Sequence, residues 1–207
     1  MIDRKARDNE IIRDMLVRVG ESEHVNQRAL SKELGIALGM TNTYIRRCIR
    51  KGLIKISEIP PNRYAYYLTP KGFTEKSRLT AEFLSDSLTF FRSARVQYTE
   101  IYNQCLESGW KNLALAGASD LAEIAVLSAR DHGVNLRGII SNENNDKNLS
   151  GLQIVSSIEE LGEIQAVVLT EVNAPQAVYD NLITHISHRR VLNPPILKIK
   201  KYIEETV

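Results

Sequence analysis

Cysteine, tryptophan and long apolar runs are all scarce in this chain. Its 207 residues include two cysteines and one tryptophan. Cys48 and Cys105 lack the spacing of metal ligands, and each falls among helical apolar positions, where a reduced thiol behaves as a small hydrophobe. No apolar run approaches the roughly 20 residues needed to span a bilayer, and Met1-Ile2-Asp3-Arg4-Lys5 has no signal-peptide character. The expectation is a soluble, cytoplasmic protein with no membrane partner. Catalytic signatures are missing as well. There is no nucleophile elbow, phosphate-binding P-loop or zinc motif. His185 and His188 stand three apart on an expected helix, yet no Cys, Asp or Glu completes a ligand set beside them. Asp120 and Glu123 share a helical face, but a helix's first turn favours carboxylates without any chemistry. No enzyme activity, catalytic residue or metal site is expected.

What is present fits an ordinary globular chain. With 43% hydrophobic and 25% charged residues it can build two small cores. The net charge of +2 hides an asymmetry. Residues 1–80 hold 16 Lys and Arg against 9 Asp and Glu, a balance of +7, and the remainder holds 11 against 16, a balance of −5. A basic end joined to an acidic one is the footprint of a nucleic-acid module beside one that avoids phosphate.

Periodicity supplies the elements. Ile11, Ile12, Met15, Leu16 and Val19 define one face of a first helix over residues 8–19, which Gly20 can close. A second helix spans Gln27–Leu34, with Gly35 after it. A tight connection then leads to a third helix, about Met40–Lys51, ended by Gly52. This is a helix-turn-helix. Leu53–Ser57 and Tyr64–Leu68, separated by Pro60-Pro61-Asn62, form a hairpin that reads as a wing. From Phe73 to Ser108 there is no proline or glycine, and Leu79, Phe83, Leu84, Leu88, Phe91, Val96, Ile101 and Leu106 recur at helical spacing. One long helix is predicted. A 70-residue domain cannot cover such a stripe, so a partner helix from a second subunit is the simplest cover. Beyond Trp110, strand–helix–strand units begin a parallel sheet. Asn112–Gly117 is a strand, Leu121–His132 a helix and Asn135–Ser141 a strand. Gln153–Ser156, Ser157–Leu161, Ala166–Thr170, Ala174–Ser187 and Arg190–Leu192 extend it, and Asn142–Ser150 is a surface loop.

A helix that enters a major groove needs an apolar inner side and short polar or basic residues outside. On the third helix Thr41, Ile45 and Cys48 can face a core. Asn42, Thr43, Arg46, Arg47 and Arg50 then face outward, Asn42 suited to adenine and the arginines to guanine or phosphate. The segments Asn26–Ile36, Lys51-Gly-Leu-Ile-Lys55, Tyr67-Leu-Thr-Pro-Lys-Gly72 and Glu75–Thr80 resemble MarR-type winged-helix regulators, in particular a branch associated with exopolysaccharide clusters, over about residues 10–105. The resemblance implies a homodimer that binds double-stranded operator DNA. Asn42, Thr43, Arg46 and Arg47 would lie in the groove, with Arg63 on the wing. Two positions depart from the pattern. Ala37 replaces the usual Ser or Thr cap of the third helix, at a cost of ~1 kcal/mol, and Gly39 loosens its first turn.

In the second half, Gly117-Ala-Ser-Asp-Leu-Ala122 keeps the first glycine of a dinucleotide fingerprint. Ser119 adds a side chain where the backbone should approach phosphate, and Asp120 adds a negative charge. Leu115–Ala125, Gly138-Ile-Ile140 and Leu149–Val155 resemble the Rossmann-like domain at the front of bacterial sugar acyltransferases, over about residues 110–172. That resemblance implies a nucleotide-sugar pocket. Its contacts would be Gly117, Ala118, Ser119 and Asp120 with Ser141, Asn142 and Glu143, the last either a ribose-hydroxyl partner or a plain loop carboxylate.

The expected fold is α+β multidomain. A winged helix-turn-helix over residues 1–72 precedes a linking and dimerisation helix over 73–108, and a Rossmann-like α/β domain with a parallel sheet covers 109–207. The expected function is that of a transcriptional regulator whose α/β domain binds a small effector or stabilises the dimer. The alternatives are an NAD(H)-responsive redox repressor and a nucleotide-sugar-binding enzyme subunit or scaffold.

Overall fold

The computed structural model describes residues 4–21, 26–59, 63–142 and 147–201, with the side chains of residues 4, 5, 58, 59 and 63 outside that description. The chain divides into two compact units, Met1–Leu88 and Thr89–Val207.

The first unit is built on α1 (Arg4–Glu21), α2 (Gln27–Glu33), α3 (Leu38–Arg50), β1 (Ile54–Ile59), β2 (Arg63–Leu68) and the start of α4 (Pro70–Glu107). The α1 stripe is buried as expected, and Met15, Leu16 and Val19 join Leu30, Ile45, Cys48, Leu53, Ile54, Tyr66 and Leu79 in one core. Gly20 does not close α1, which runs one residue further. Its lack of a side chain makes room for Leu68, whose Cδ1 would lie 2.8 Å from a Cβ there. Asn26 caps α2 by accepting a hydrogen bond from the Ala29 amide at 2.8 Å. Gly35, at φ +60°, and the Ser31 hydroxyl, which donates to the Ile36 carbonyl at 2.7 Å, shape the turn into α3. That helix starts at Leu38, two residues before the expected Met40, because Ala37 is already its extended N-cap.

The wing is an antiparallel pair in which Ile56 faces Tyr66 and Lys55 faces Tyr67. Its closing Leu68-Thr-Pro-Lys-Gly72 segment has a packing reason. The Thr69 hydroxyl donates to the Gly52 carbonyl at 2.6 Å and accepts from the Gly72 amide at 2.9 Å, while Pro70 opens α4. A Cβ on Gly72 would lie 1.9 Å from the Leu53 carbonyl oxygen, so only glycine lets α4 start against the base of the wing.

α4 is a single unbroken helix of 38 residues that begins at Pro70 rather than Phe73. Its residues up to Leu88 belong to the first unit and the rest to the second. The long stripe predicted for a partner helix is therefore divided. Of its residues Leu79 is buried in the first core and Ile101 in the second, Phe91 and Leu106 are half-buried, and Phe83, Leu84, Leu88 and Val96 are exposed. The second half of the helix is buried against the α/β sheet of the same chain chiefly through Ala94, Tyr98, Tyr102 and Cys105, which the predicted stripe did not include.

The second unit adds β3 (Asn112–Ala116), α5 (Asp120–Ala129), β4 (Asn135–Ile140), β5 (Asn148–Leu149), β6 (Leu152–Val155), β7 (Ala166–Leu169), α6 (Pro175–His185) and β8 (Val191–Leu192). The sheet order is β5-β6-β4-β3-β7-β8, parallel throughout except for β5. β5 corrects the expected loop over 142–150, since its two residues pair antiparallel with β6 across the Ser150-Gly151 turn, where both residues take positive φ. Alternate side chains of the buried strands feed opposite layers. Leu113 and Leu115 meet the second half of α4 and α5, whereas Ala114, Ala116, Val167 and Leu169 meet Leu161, Tyr179 and Leu182 on the other side. The buried Tyr98 and Tyr102 hydroxyls donate to the Leu169 and Ala125 carbonyls, and burial raises both phenols well above their ordinary pKa. Both cysteines are buried, their thiols pushed up to about 11 at Cys48 and about 12 at Cys105, which suits a packing role.

Candidate nucleic-acid interface

α3 is amphipathic in the sense a groove-reading helix requires. Thr41, Ile45 and Cys48 are buried, and Thr43, Arg46 and Arg50 are exposed on the side away from the core. Asn42 and Arg47 are half-buried on the flanks. Arg46 and Arg50 make no ion pair among the described residues, so their donors face solvent. Arg47 differs, because its guanidinium is 2.9 Å from Asp8 Oδ2 on α1. The Thr43 hydroxyl donates back to the Gly39 carbonyl at 3.0 Å, leaving its lone pairs to accept. Arg63 is the first residue of β2, at the tip of the wing, and its side chain lies outside the described residues.

Two features of this surface were not singled out from the sequence, and a third, the open start of α3, follows from the Ala37 cap noted there. Leu38 and Met40, in the first turn of α3, are exposed at 44% and 45%, which places apolar surface next to the basic residues. For Met40 the signal was there, since it falls off the Thr41, Ile45, Cys48 spacing of the buried stripe; Leu38, three residues before Thr41, continues that spacing and is exposed all the same. Ala37 provides no side-chain acceptor, and the first turn carries no acidic residue, so the α3 amides and the positive end of its dipole are open to an anion. Tyr44 donates to Asp8 Oδ1 at 2.5 Å. That hydrogen bond, with burial, raises its hydroxyl above the ordinary tyrosine range. Only the tertiary fold brings Asp8 and Tyr44 together.

The second candidate surface is the C-terminal edge of the sheet. The strand order reverses between β3 and β7, the switch point where open α/β sheets bind ligands. Gly117 and Ser119 follow β3, Ser141 and Asn142 follow β4, and the Gly117 amide donates to the Ile140 carbonyl at 2.9 Å. Two hydroxyls here are already engaged. Ser119 caps α5 by accepting from the Leu121 amide and donates to the Thr170 carbonyl at 2.5 Å; the Thr170 hydroxyl donates to the Ala116 and Gly117 carbonyls. Gly117 takes φ +108°, and a Cβ there would sit 2.4 Å from the Glu171 backbone, so close packing of β7's end explains this glycine. Asp120 and the 7%-exposed Glu171 bring carboxylates to the same edge. Glu143 lies outside the described residues. A recess of about 380 Å³ lies against α5, lined by Phe91, Asp120, Glu123, Ile124, Leu127 and Arg130 among others. Of the candidate effector contacts, Asp120 lines it; Gly117, Ala118, Ser119, Ser141 and Asn142 do not.

No group of three or more His, Cys, Asp and Glu suited to a metal ion occurs among the described residues. No described helix is long and apolar enough to cross a membrane.

The first unit is thus a winged helix-turn-helix of the DNA-binding kind, carried by a chain with a six-stranded, mostly parallel second unit. Residues 8–55 match the family described as winged helix-turn-helix DNA-binding. Among curated proteins the chain has no match. Solved structures similar to it include MepR, a transcription regulator of the Staphylococcus aureus multidrug efflux pump MepA, at 18% identity and TM-score 0.35, covering 40% of this chain and 60% of that one. The PcaV transcriptional regulator from Streptomyces coelicolor is 20% identical with TM-score 0.36, covering 41% and 59%. FabT from Streptococcus pneumoniae, in complex with DNA, is 22% identical with TM-score 0.33, covering 60% and 68%. The chain spans about three fifths of the length of the MepR and PcaV structures. Likenesses of this grade carry no functional argument.

Proposed function

We propose that the protein is a cytoplasmic, homodimeric transcriptional regulator of MarR type that reads double-stranded DNA with α3. The observation that carries this reading is the exposed Thr43, Arg46 and Arg50 surface, set opposite a buried stripe on the helix that leads into the wing. Asn42, Arg47 and Arg63 extend it on the flank and wing. Exposed Leu84 and Leu88 on α4 support a dimer, since a second copy would remove them from water. In this reading residues 1–72 bind DNA, 73–108 link and dimerise, and 109–207 form a Rossmann-like effector or dimerisation domain. The link to polysaccharide genes and a nucleotide-sugar effector rest on the sequence resemblance. An NAD(H)-responsive repressor is disfavoured by the engaged Ser119 hydroxyl and by the negative charge of the neighbouring Asp120, which opposes a pyrophosphate.

The test is an anisotropy titration of fragments from the gene's own upstream region at two salt concentrations with competitor DNA. Saturable binding that survives competitor, and that weakens when Arg46 is replaced by alanine, is the expected result. Binding erased equally by salt and competitor, and indifferent to Arg46→Ala, would leave the winged helix as a protein-contact module of an enzyme subunit or scaffold.

A further inference from the structure

We propose that Asp8, on α1, is a positioning residue that sets the sequence discrimination of α3 by holding Arg47 and Tyr44. The proposal rests on DNA reading by α3, as argued above. Asp8 is half-buried and bridges two donors on the neighbouring helix. Its Oδ1 accepts from the Tyr44 hydroxyl at 2.5 Å and its Oδ2 from the Arg47 guanidinium at 2.9 Å. Tyr44 and Arg47 are three apart and so share one flank of α3. The Arg47 and Asp8 side chains are 38% and 30% exposed, so the pair contributes little to stability. Its consequence is for charge and direction.

Affinity for phosphate sums over uncompensated cations and reads no sequence, whereas discrimination comes from donors held at fixed positions against base edges. Arg46 and Arg50 supply the uncompensated charge. Arg47 is neutralised by Asp8 and held by it through one terminal nitrogen, so its remaining donors keep a fixed direction on the flank of the helix. Asp8 therefore lowers affinity for arbitrary DNA and raises the ratio of specific to non-specific binding, an effect that works against the wrong partner as much as for the right one.

The experiment uses the full chain and two duplexes of equal length, one selected by the protein from a randomised pool and one of random sequence. Affinities are measured across a salt series for the wild type and for Asp8→Asn, Asp8→Ala, Arg47→Gln and the double variant Asp8→Asn/Arg47→Gln. Thermal melts are run alongside. The expected result for Asp8→Asn is tighter binding to the random duplex, a salt slope steeper by about one ion and a specificity ratio lower by about fivefold or more. In the Arg47→Gln background, Asp8→Asn should change neither the slope nor the ratio. Should Asp8→Ala fail to fold, the nearly isosteric Asp8→Asn still decides. Unchanged slope and ratio in Asp8→Asn would overturn the proposal, as would an equal effect of Asp8→Asn with and without Arg47, which would show bulk charge at work. An Arg46→Ala variant that binds every duplex like the wild type would instead overturn the DNA-reading surface itself, and this proposal with it.

Discussion

α3 and α5 each follow a tight turn, each present an N-terminus at an edge of their unit, and are opposite in what they leave open. α3 starts on Ala37, with no side-chain cap and no acid in its first turn, and carries exposed arginines further along. α5 starts on Ser119, whose hydroxyl meets the Leu121 amide and the Thr170 carbonyl, and its first turn holds Asp120 and Glu123. One helix end is open to a phosphate, and the other is filled by the chain's own groups. A weak cap costs the free protein about 1 kcal/mol of stability, but it leaves amides and dipole available to a ligand. A good cap does the reverse.

The largest expected effect tests the closed end. Gly117→Ala forces a side chain at φ +108° into the Glu171 backbone and should destabilise the second unit by about 3 kcal/mol or more. Trp110, the single tryptophan, packs on that unit's core and reports the change in denaturant titrations. A near-neutral result would mean that β7's end yields easily and that the edge can open for a ligand. Gly72→Ala comes next, at about 2–3 kcal/mol in the first unit by far-ultraviolet circular dichroism, because the Leu53 carbonyl has to move. Arg46→Ala should reduce the salt slope of DNA binding by about one and weaken binding to all sequences. A sharper test exchanges the caps. Ser119→Ala should cost about 1–2 kcal/mol. Ala37→Ser should stabilise the first unit by about 1 kcal/mol while weakening DNA binding, since the new hydroxyl occupies an amide the phosphate would use. Stabilisation without any loss of affinity would show that the α3 amides do not meet DNA. The smallest effect is Gly39→Ala. Open space around it predicts a gain of about 0.5–1 kcal/mol, with DNA affinity reduced only if the backbone approaches the duplex there.

The helices of the first unit were legible because their buried stripes are clean. Ile11 to Val19 and Thr41, Ile45 and Cys48 repeat at three and four, and the stripes proved buried at every one of these positions. Boundaries were less legible. Pro70 lay before the helix predicted from Phe73 and is the first residue of α4, because proline lacks only an amide that the first turn leaves unpaired anyway. The same ambiguity hid β5, where Asn148 and Leu149 read as loop until β6 gave them a partner. On the candidate surface, the outward placement of Thr43, Arg46 and Arg50 followed from helical periodicity, which is a local rule. The engagement of Arg47 by Asp8, 39 residues away in the chain, follows no local rule.

Sequence alone determined the winged helix-turn-helix, the α/β character of the second unit and the separation of basic from acidic charge, because periodicity and composition act over a few neighbouring residues. The tertiary structure decided which face of α4 is covered, burying Ala94, Tyr98 and Tyr102, outside the predicted stripe, against the chain's own sheet and leaving Leu84 and Leu88 of that stripe exposed. It also decided that Gly117 serves close packing against Glu171, and that Arg47 is held while Arg46 and Arg50 face solvent. Each of these depends on which distant atoms come within a few ångströms, and no local pattern encodes that.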